Sequence, residues 1–129
     1  MAHAAEVAVE SDGTIRVLRV ESAIDSGWVV YPDGVRQQTE GGVALALSVA
    51  LNEQITVRNG EVEQKTFSDY PILRFPQAPV VNLHIIDGGA PLGGVGEPII
   101  PPLAPAVGNA VFAATGVRMR KLPMGKVPV

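Results

Sequence analysis

The chain reads as an α+β domain in which an antiparallel sheet of hairpins packs on one long and one short helix. Three observations predict it: strand-like alternation broken by Ser11-Asp12-Gly13, a long apolar-periodic stretch after Tyr31-Pro32-Asp33-Gly34, and a proline-dense segment that delays the last helix to about residue 105. Residues 4–10 and 14–24 alternate with period two, and the turn triplet between them joins them as a β-hairpin. Residues 35–52 then read as a helix with Asp33 or Gly34 near its N-terminus. On it Val35, Gln38, Gly42, Leu45, Ala46 and Val49 fall on one stripe at 3.6-residue spacing. Val43, Leu47, Ala50 and Leu51 make a second side apolar, so the helix is expected to be covered on more than one face.

Arg58-Asn59-Gly60 joins 55–58 to 61–65 as a second hairpin, and residues 67–79, with three prolines, read as loop. Val80 to Ile86 is the last predicted strand, ended by Asp87-Gly88-Gly89. Pro101 and Pro102 forbid an earlier helix, whereas Pro105 suits a first turn. The short helix runs through Thr115 with Val107, Ala110, Val111 and Ala114 on one face and Gly116 as its stop.

The 129 residues suit one domain, 1–129, and the formal charge of −3 leaves no basic patch dense enough for phosphates. Only Arg118, Arg120, Lys121 and Lys126 are locally basic, so neither nucleic acid nor an anionic membrane is an expected partner. The absence of cysteine excludes disulfides and thiolate metal centres. His3 and His84 fall on different predicted strands without a carboxylate at ligand spacing, so no side-chain metal site is expected. No leader pattern and no apolar run near the ~20 residues of a membrane helix are read, which makes a cytoplasmic location the expectation. A hydrophobic fraction of 47% against 18% charged residues is more than so short a chain readily hides, and predicts a homo-oligomer when the chain is isolated.

Gly93-Gly94-Val95-Gly96-Glu97-Pro98 places one carboxylate at the tip of a glycine-rich loop. The glycines allow backbone to approach a bulky ligand, Pro98 pins the chain, and the apolar neighbours Val95, Ile99 and Ile100 would lower the dielectric around Glu97. That pattern suits a general base, but taken alone the loop reads more readily as a turn with a solvated acid. Gln38 interrupts the apolar stripe of the long helix; a buried amide there needs partners or costs about 1–3 kcal/mol, which a ligand or nearby backbone could supply. Asp25 and Asp69 read as turn caps. No serine sits in a nucleophile elbow, and the glycine loop does not follow a strand and open a helix as dinucleotide loops do.

Four stretches carry a resemblance: AEVAVESDGTIRVLRVESAID, YPDGVRQQTEGGVALALSVAL, ITVRNGEVEQKTFSDYPILR and GGVGEPIIPPLAPAVGNAVFAATGVRMRKLP, in that order. Together they resemble the C-terminal part of the molybdopterin-binding large subunit of the xanthine dehydrogenase and aldehyde oxidase family, within it the isoquinoline 1-oxidoreductase beta-subunit type. The resemblance implies that Glu97 is the base for hydroxylating an electron-poor carbon, in an aldehyde or an N-heterocycle, with water as oxygen source. It implies that Gln38 hydrogen-bonds the pterin, that the backbone of Gly93, Gly94, Val95 and Gly96 lines the cofactor, and that no side chain ligates molybdenum.

The implied cofactor is molybdopterin, in its cytosine dinucleotide form, held by the complete enzyme and not by the isolated chain. The implied partners are the remaining large-subunit segments and an iron–sulfur subunit. Such subunits run to several hundred residues, so the chain is expected to be one module, a fragment or one piece of a split subunit, inactive alone; a free-standing, non-catalytic descendant is the alternative. Tyr31 and Thr66 stand where the family has asparagine, and Ala46 where it has glycine.

Overall fold

A computed structural model describes residues 1–128 of the chain. Two long strands, β1 (Ala2–Val9) and β2 (Ile15–Ile24), form the expected hairpin, followed by the long helix α1 (Pro32–Leu51). A two-stranded ribbon, β3 (Val57–Arg58) and β4 (Glu61–Val62), precedes β5 (Val80–Ile85) and the short helix α2 (Leu103–Thr115). The α+β class, the hairpins and the pair of helices are thus what the chain forms.

One strand departs from the antiparallel expectation: the main sheet has the order β1-β2-β5, and β5 runs parallel to β2 with Arg19 opposite Val80 and Ile24 opposite Ile85. The reason is connectivity. The chain leaves β2, crosses through α1 and the small ribbon, and re-enters the sheet from the same end, as a parallel pair requires.

A bulge in the hairpin sets which residues face the helices. Glu6 pairs with Arg19 and Val7 with Val17, so Leu18 is the extra residue. Buried positions on β2 therefore change phase, from Ile15 and Val17 to Val20, Ser22 and Ile24, while Leu18 and Arg19 both face outward. Both halves of β2 thereby reach one core, shared by Val43, Ala46 and Leu47 of α1, Leu103, Val107 and Val111 of α2, and Ile99 before α2.

Helix α1 begins three residues earlier than expected, because Pro32 fits the first helical turn and Asp33 lies favourably near the N-terminal end of the dipole. Its buried face is Val35, Thr39, Val43, Ala46, Leu47, Ser48 and Ala50, whereas Gln38, Leu45 and Val49 of the expected stripe are exposed. Thr39 tolerates burial because its hydroxyl donates to the Val35 carbonyl at 2.8 Å. Helix α2 ends as predicted at Gly116, which adopts φ 75° and donates its N–H to the Phe112 carbonyl. The segment Glu97–Thr115 reaches a mean hydropathy of 1.2 over 19 residues, a longer apolar run than the sequence reading allowed. Its continuous α-helix is only 13 residues, about 20 Å, and buries Leu103, Val107 and Val111 in the core.

The turn of the first hairpin is also the anchor of the C-terminal end. Asp12 accepts from the Thr14 N–H and hydroxyl, both at 3.0 Å, and pairs with the Lys126 ammonium, while the Val127 N–H donates to the Gly13 carbonyl at 2.9 Å. The Lys126 contact, reinforced by Thr14, holds the Asp12 carboxyl well below the usual carboxylate range. A depressed carboxyl stabilises the fold above its unfolded pKa and loses that contribution as pH falls below about 4. Asp12→Asn is therefore expected to lower the melting temperature at neutral pH and to flatten its decline on acidification. Thermal melts across that range test this, and parallel curves for the two proteins would refute it.

Candidate functional site

The glycine-rich loop is delivered to the surface by a short track along residues 24–27. The Ile86 N–H donates to the Ile24 carbonyl and the Gly93 N–H to the Ser26 carbonyl, both at 2.8 Å. Between them, Asp25 caps its own turn by accepting the Gly27 N–H at 3.0 Å, as the sequence implied. The track is tight: a Cβ at Gly88 would lie 1.9 Å from the Asp25 carboxylate. The path from β5 to the loop is fixed by backbone hydrogen bonds and close approach.

Glu97 opens a 3-10 turn, Glu97–Ile99, closed by the Ile100 N–H donating to the Glu97 carbonyl at 3.0 Å. The Ile99 side chain is fully buried and packs on Gly42 of α1, where an added Cβ would meet it at 2.8 Å. With Ile99 turned inward, Glu97 faces outward into an open depression of about 320 Å³ lined by Gln37, Gln38, Gly41, Leu45, Gly96 and Ile100. A Cβ at Gly96 would sit 3.9 Å from the Gln38 side-chain oxygen. Two residues 59 positions apart in sequence, Gln38 and Glu97, therefore share one wall.

Two expectations change. Gln38 is exposed rather than buried on an apolar stripe, so its amide is open to a partner outside the chain. Glu97 is also exposed, because Ile99 belongs to the core and does not shield it. Of the loop backbone expected to line a cofactor, Gly96 lines the depression beside Glu97, whereas Gly93, Gly94 and Val95 lie upstream, with Gly93 docked on Ser26. Neither Gly94 nor Gly96 has positive φ, and a Cβ at Gly94 would meet nothing within 4 Å. The fold itself gives no reason for glycine at Gly94 or Gly96.

A larger cleft of about 570 Å³ lies between β2 and residues 73–78, but its lining includes Arg16 and Lys126 and no acid or histidine. Among the described residues, no group of three or more histidines or carboxylates is placed to hold a metal ion. Sequence reasoning treats His3 as a poor metal ligand and misses its actual contacts. His3 Nδ1 lies 2.9 Å from the Ser22 hydroxyl and Nε2 lies 2.8 Å from the Ile99 carbonyl. The register that sets His3 opposite Ser22 depends on the hairpin bulge, which no sequence signal marks. His84 is a surface residue hydrogen-bonded to Glu21 at 2.8 Å.

Residues 1–79 match the family model described as a molybdopterin cofactor-binding domain. The beta subunit of isoquinoline 1-oxidoreductase from Brevundimonas diminuta is 40% identical over 114 residues, covering 88% of this chain and 15% of that protein. A nicotinate dehydrogenase subunit from Pseudomonas putida is 39% identical over 122 residues, covering 93% of this chain and 10% of that protein. The crystal structure of quinoline 2-oxidoreductase from Pseudomonas putida 86 superposes with a TM-score of 0.85 at 28% identity, over 95% of this chain and 17% of the other. The chain thus spans 10% to 17% of the length of these relatives.

The glycines divide by what surrounds them, and that division is measurable. Gly94→Ala should change stability by no more than about 0.5 kcal/mol, because its Cβ enters open space. Gly42→Ala should cost about 1–3 kcal/mol, because its Cβ strikes the buried Ile99. Denaturant unfolding of the two variants checks both, and equal costs would refute the assignment of Gly94 to the outside of the fold.

Proposed function

Since the chain belongs to the molybdopterin cofactor-binding domain family, we propose that it is the base-bearing C-terminal module of a molybdenum hydroxylase large subunit, working within the complete enzyme. The observation that carries this reading is the shared wall: the free amide of Gln38, the unhindered Gly96 and the carboxylate of Glu97 line one open depression. The donor set fits the cofactor. Gln38 would hydrogen-bond the pterin, and Gly94 and Gly96, which leave space that a Cβ would fill, would admit it to the backbone of Gly93 to Gly96. We take the cofactor as the cytosine dinucleotide form, as the resemblance read in the sequence implies.

When bound, the molybdenum centre supplies the redox capacity, accepting two electrons from the substrate carbon. The part of this chain is proton handling and placement. Glu97 takes the proton from the water-derived nucleophile as that oxygen attacks an electron-poor carbon of an aldehyde or N-heterocycle, which raises the nucleophile's reactivity by ~10²–10⁴-fold. The exposure of Glu97 in this chain indicates that the dry surroundings such a base needs come from the remaining large-subunit segments. One wall offers only part of the enclosure a cofactor of this size requires, so cofactor retention belongs to the assembled subunit, with an iron–sulfur partner to carry electrons away.

Glu97→Gln keeps the shape and removes the base. In the complete large subunit it should slow the chemical step at least ~10²-fold with little change in substrate affinity. In the chain alone it should change stability by no more than about 0.5 kcal/mol, since Glu97 is exposed. Single-turnover kinetics and denaturant melts read the two effects, and unchanged turnover would overturn the assignment.

The same reading accounts for aromatic rings left in solvent. Phe67 and Phe75 are 96% and 94% exposed and Trp28 71%, far more than a self-sufficient domain of this size shows. We assign them to contacts with the rest of the large subunit, so the isolated chain should self-associate. Light scattering at micromolar concentration should report a dimer or larger species; a monodisperse monomer that binds no hydrophobic dye would refute it.

A further inference from the structure

We propose that His3 is a positioning residue for the candidate base: its imidazole ties the turn carrying Glu97 to the first hairpin. This rests on the role proposed for Glu97 and adds to it a residue at the opposite end of the chain. The Ile99 contact places one proton of the ring. A carbonyl oxygen only accepts, so His3 Nε2 carries the proton and donates to Ile99 at 2.8 Å. In the neutral ring Nδ1, 2.9 Å from the Ser22 hydroxyl, accepts that hydroxyl's proton. The ring is neutral and held from both sides. Burial, the largest influence on it, pushes its pKa below the ordinary histidine value and agrees with that state.

The placement follows from the sheet. His3 and Ser22 are directly opposed in the β1–β2 ladder, and both point to the side where the Glu97–Ile99 turn packs. Ser22 is fully buried and so is Ile99. The Ile99 carbonyl lies at the end of a three-residue turn, too short to satisfy its own carbonyls as a long helix does. The imidazole meets that need from 96 positions away in sequence. Since Ile99 is two residues from Glu97, a hydrogen bond that fixes the Ile99 peptide also fixes the direction in which Glu97 leaves the turn.

Three measurements test it. In the unsubstituted chain, imidazole nitrogen NMR should show the Nε2-protonated tautomer; the other tautomer, or a doubly protonated ring at neutral pH, would overturn the proposal without any variant having to fold. His3→Leu removes both hydrogen bonds and keeps apolar bulk. It should speed exchange of the Ile100 amide roughly tenfold while the Gly116 and Met124 amides hold their rates, and His3→Gln, which restores a donor, should recover the protection. Unchanged exchange at Ile100 would overturn it.

In the complete enzyme His3→Leu should lower kcat and leave KM unchanged, with His3→Gln in between. Failure of the parent reading is separable. An active Glu97→Gln enzyme would refute the base and leave the amide result standing, whereas an inactive Glu97→Gln enzyme beside a fully active His3→Leu enzyme would overturn the positioning role alone.

Discussion

The burial of Ile99 is the constraint on which the candidate site depends. Its side chain enters the core shared by the sheet and both helices, and it does so against Gly42 of α1, where a Cβ would strike it. Turning Ile99 inward forces the residue two positions earlier to turn outward, which is how Glu97 comes to face the depression beside Gln38. Hydrophobic burial here sets a direction that no polar contact of Glu97 itself sets, since side chains at the head of a short turn have few local partners. A fully buried isoleucine contributes about 1.5–3 kcal/mol relative to an exposed one, so the site's shape is tied to a substantial part of the stability of a small domain.

Much of the fold was legible because the strong local signals agreed with the tertiary arrangement. The Ser11-Asp12-Gly13 turn, the Gly116 stop and the proline-delayed α2 each rest on backbone chemistry that neighbours seldom override. The misreadings have distinct causes. On α1 two apolar sides were expected to be covered; the side with Val43, Leu47 and Ala50 is buried, whereas Leu45 and Val49 of the other stripe are exposed. Thr39 reads as polar in sequence, yet it satisfies its own hydroxyl on the preceding turn and is buried without penalty. Gln38 lies on the same uncovered side as Leu45 and Val49, so its amide is open rather than interior.

The direction of β5 was missed for a different reason. Hairpin signals dominate the first 65 residues, and reading the last strand as another antiparallel neighbour ignored the helix that lies between β2 and β5. Topology, not local propensity, fixes that pairing. The hairpin bulge was equally hidden: Leu18 and Arg19 both face outward, which a strict period of two cannot express, and the shift is visible only as a change from odd to even buried positions along β2. Without it Ser22 would face outward, and His3 would have no hydroxyl beneath its ring.

Tyr31, which stands where the sequence resemblance implies asparagine, shows how the start of α1 is supported locally. Asparagine at the residue before α1 would cap the helix, whereas Tyr31 makes no side-chain cap and instead lays its ring over Gly34, where a Cβ would lie 2.6 Å from the ring. The first turn is supported another way, by Asp33 held between Arg36 at 2.6 Å and Gln37 at 2.7 Å, with Arg36 reaching on to Glu40 at 2.8 Å. That network occupies Gln37 and leaves its neighbour Gln38 uncommitted. The adjacent glutamines thus differ in commitment: the Gln37 amide is used to hold the helix start, and the Gln38 amide remains open to a partner outside the chain.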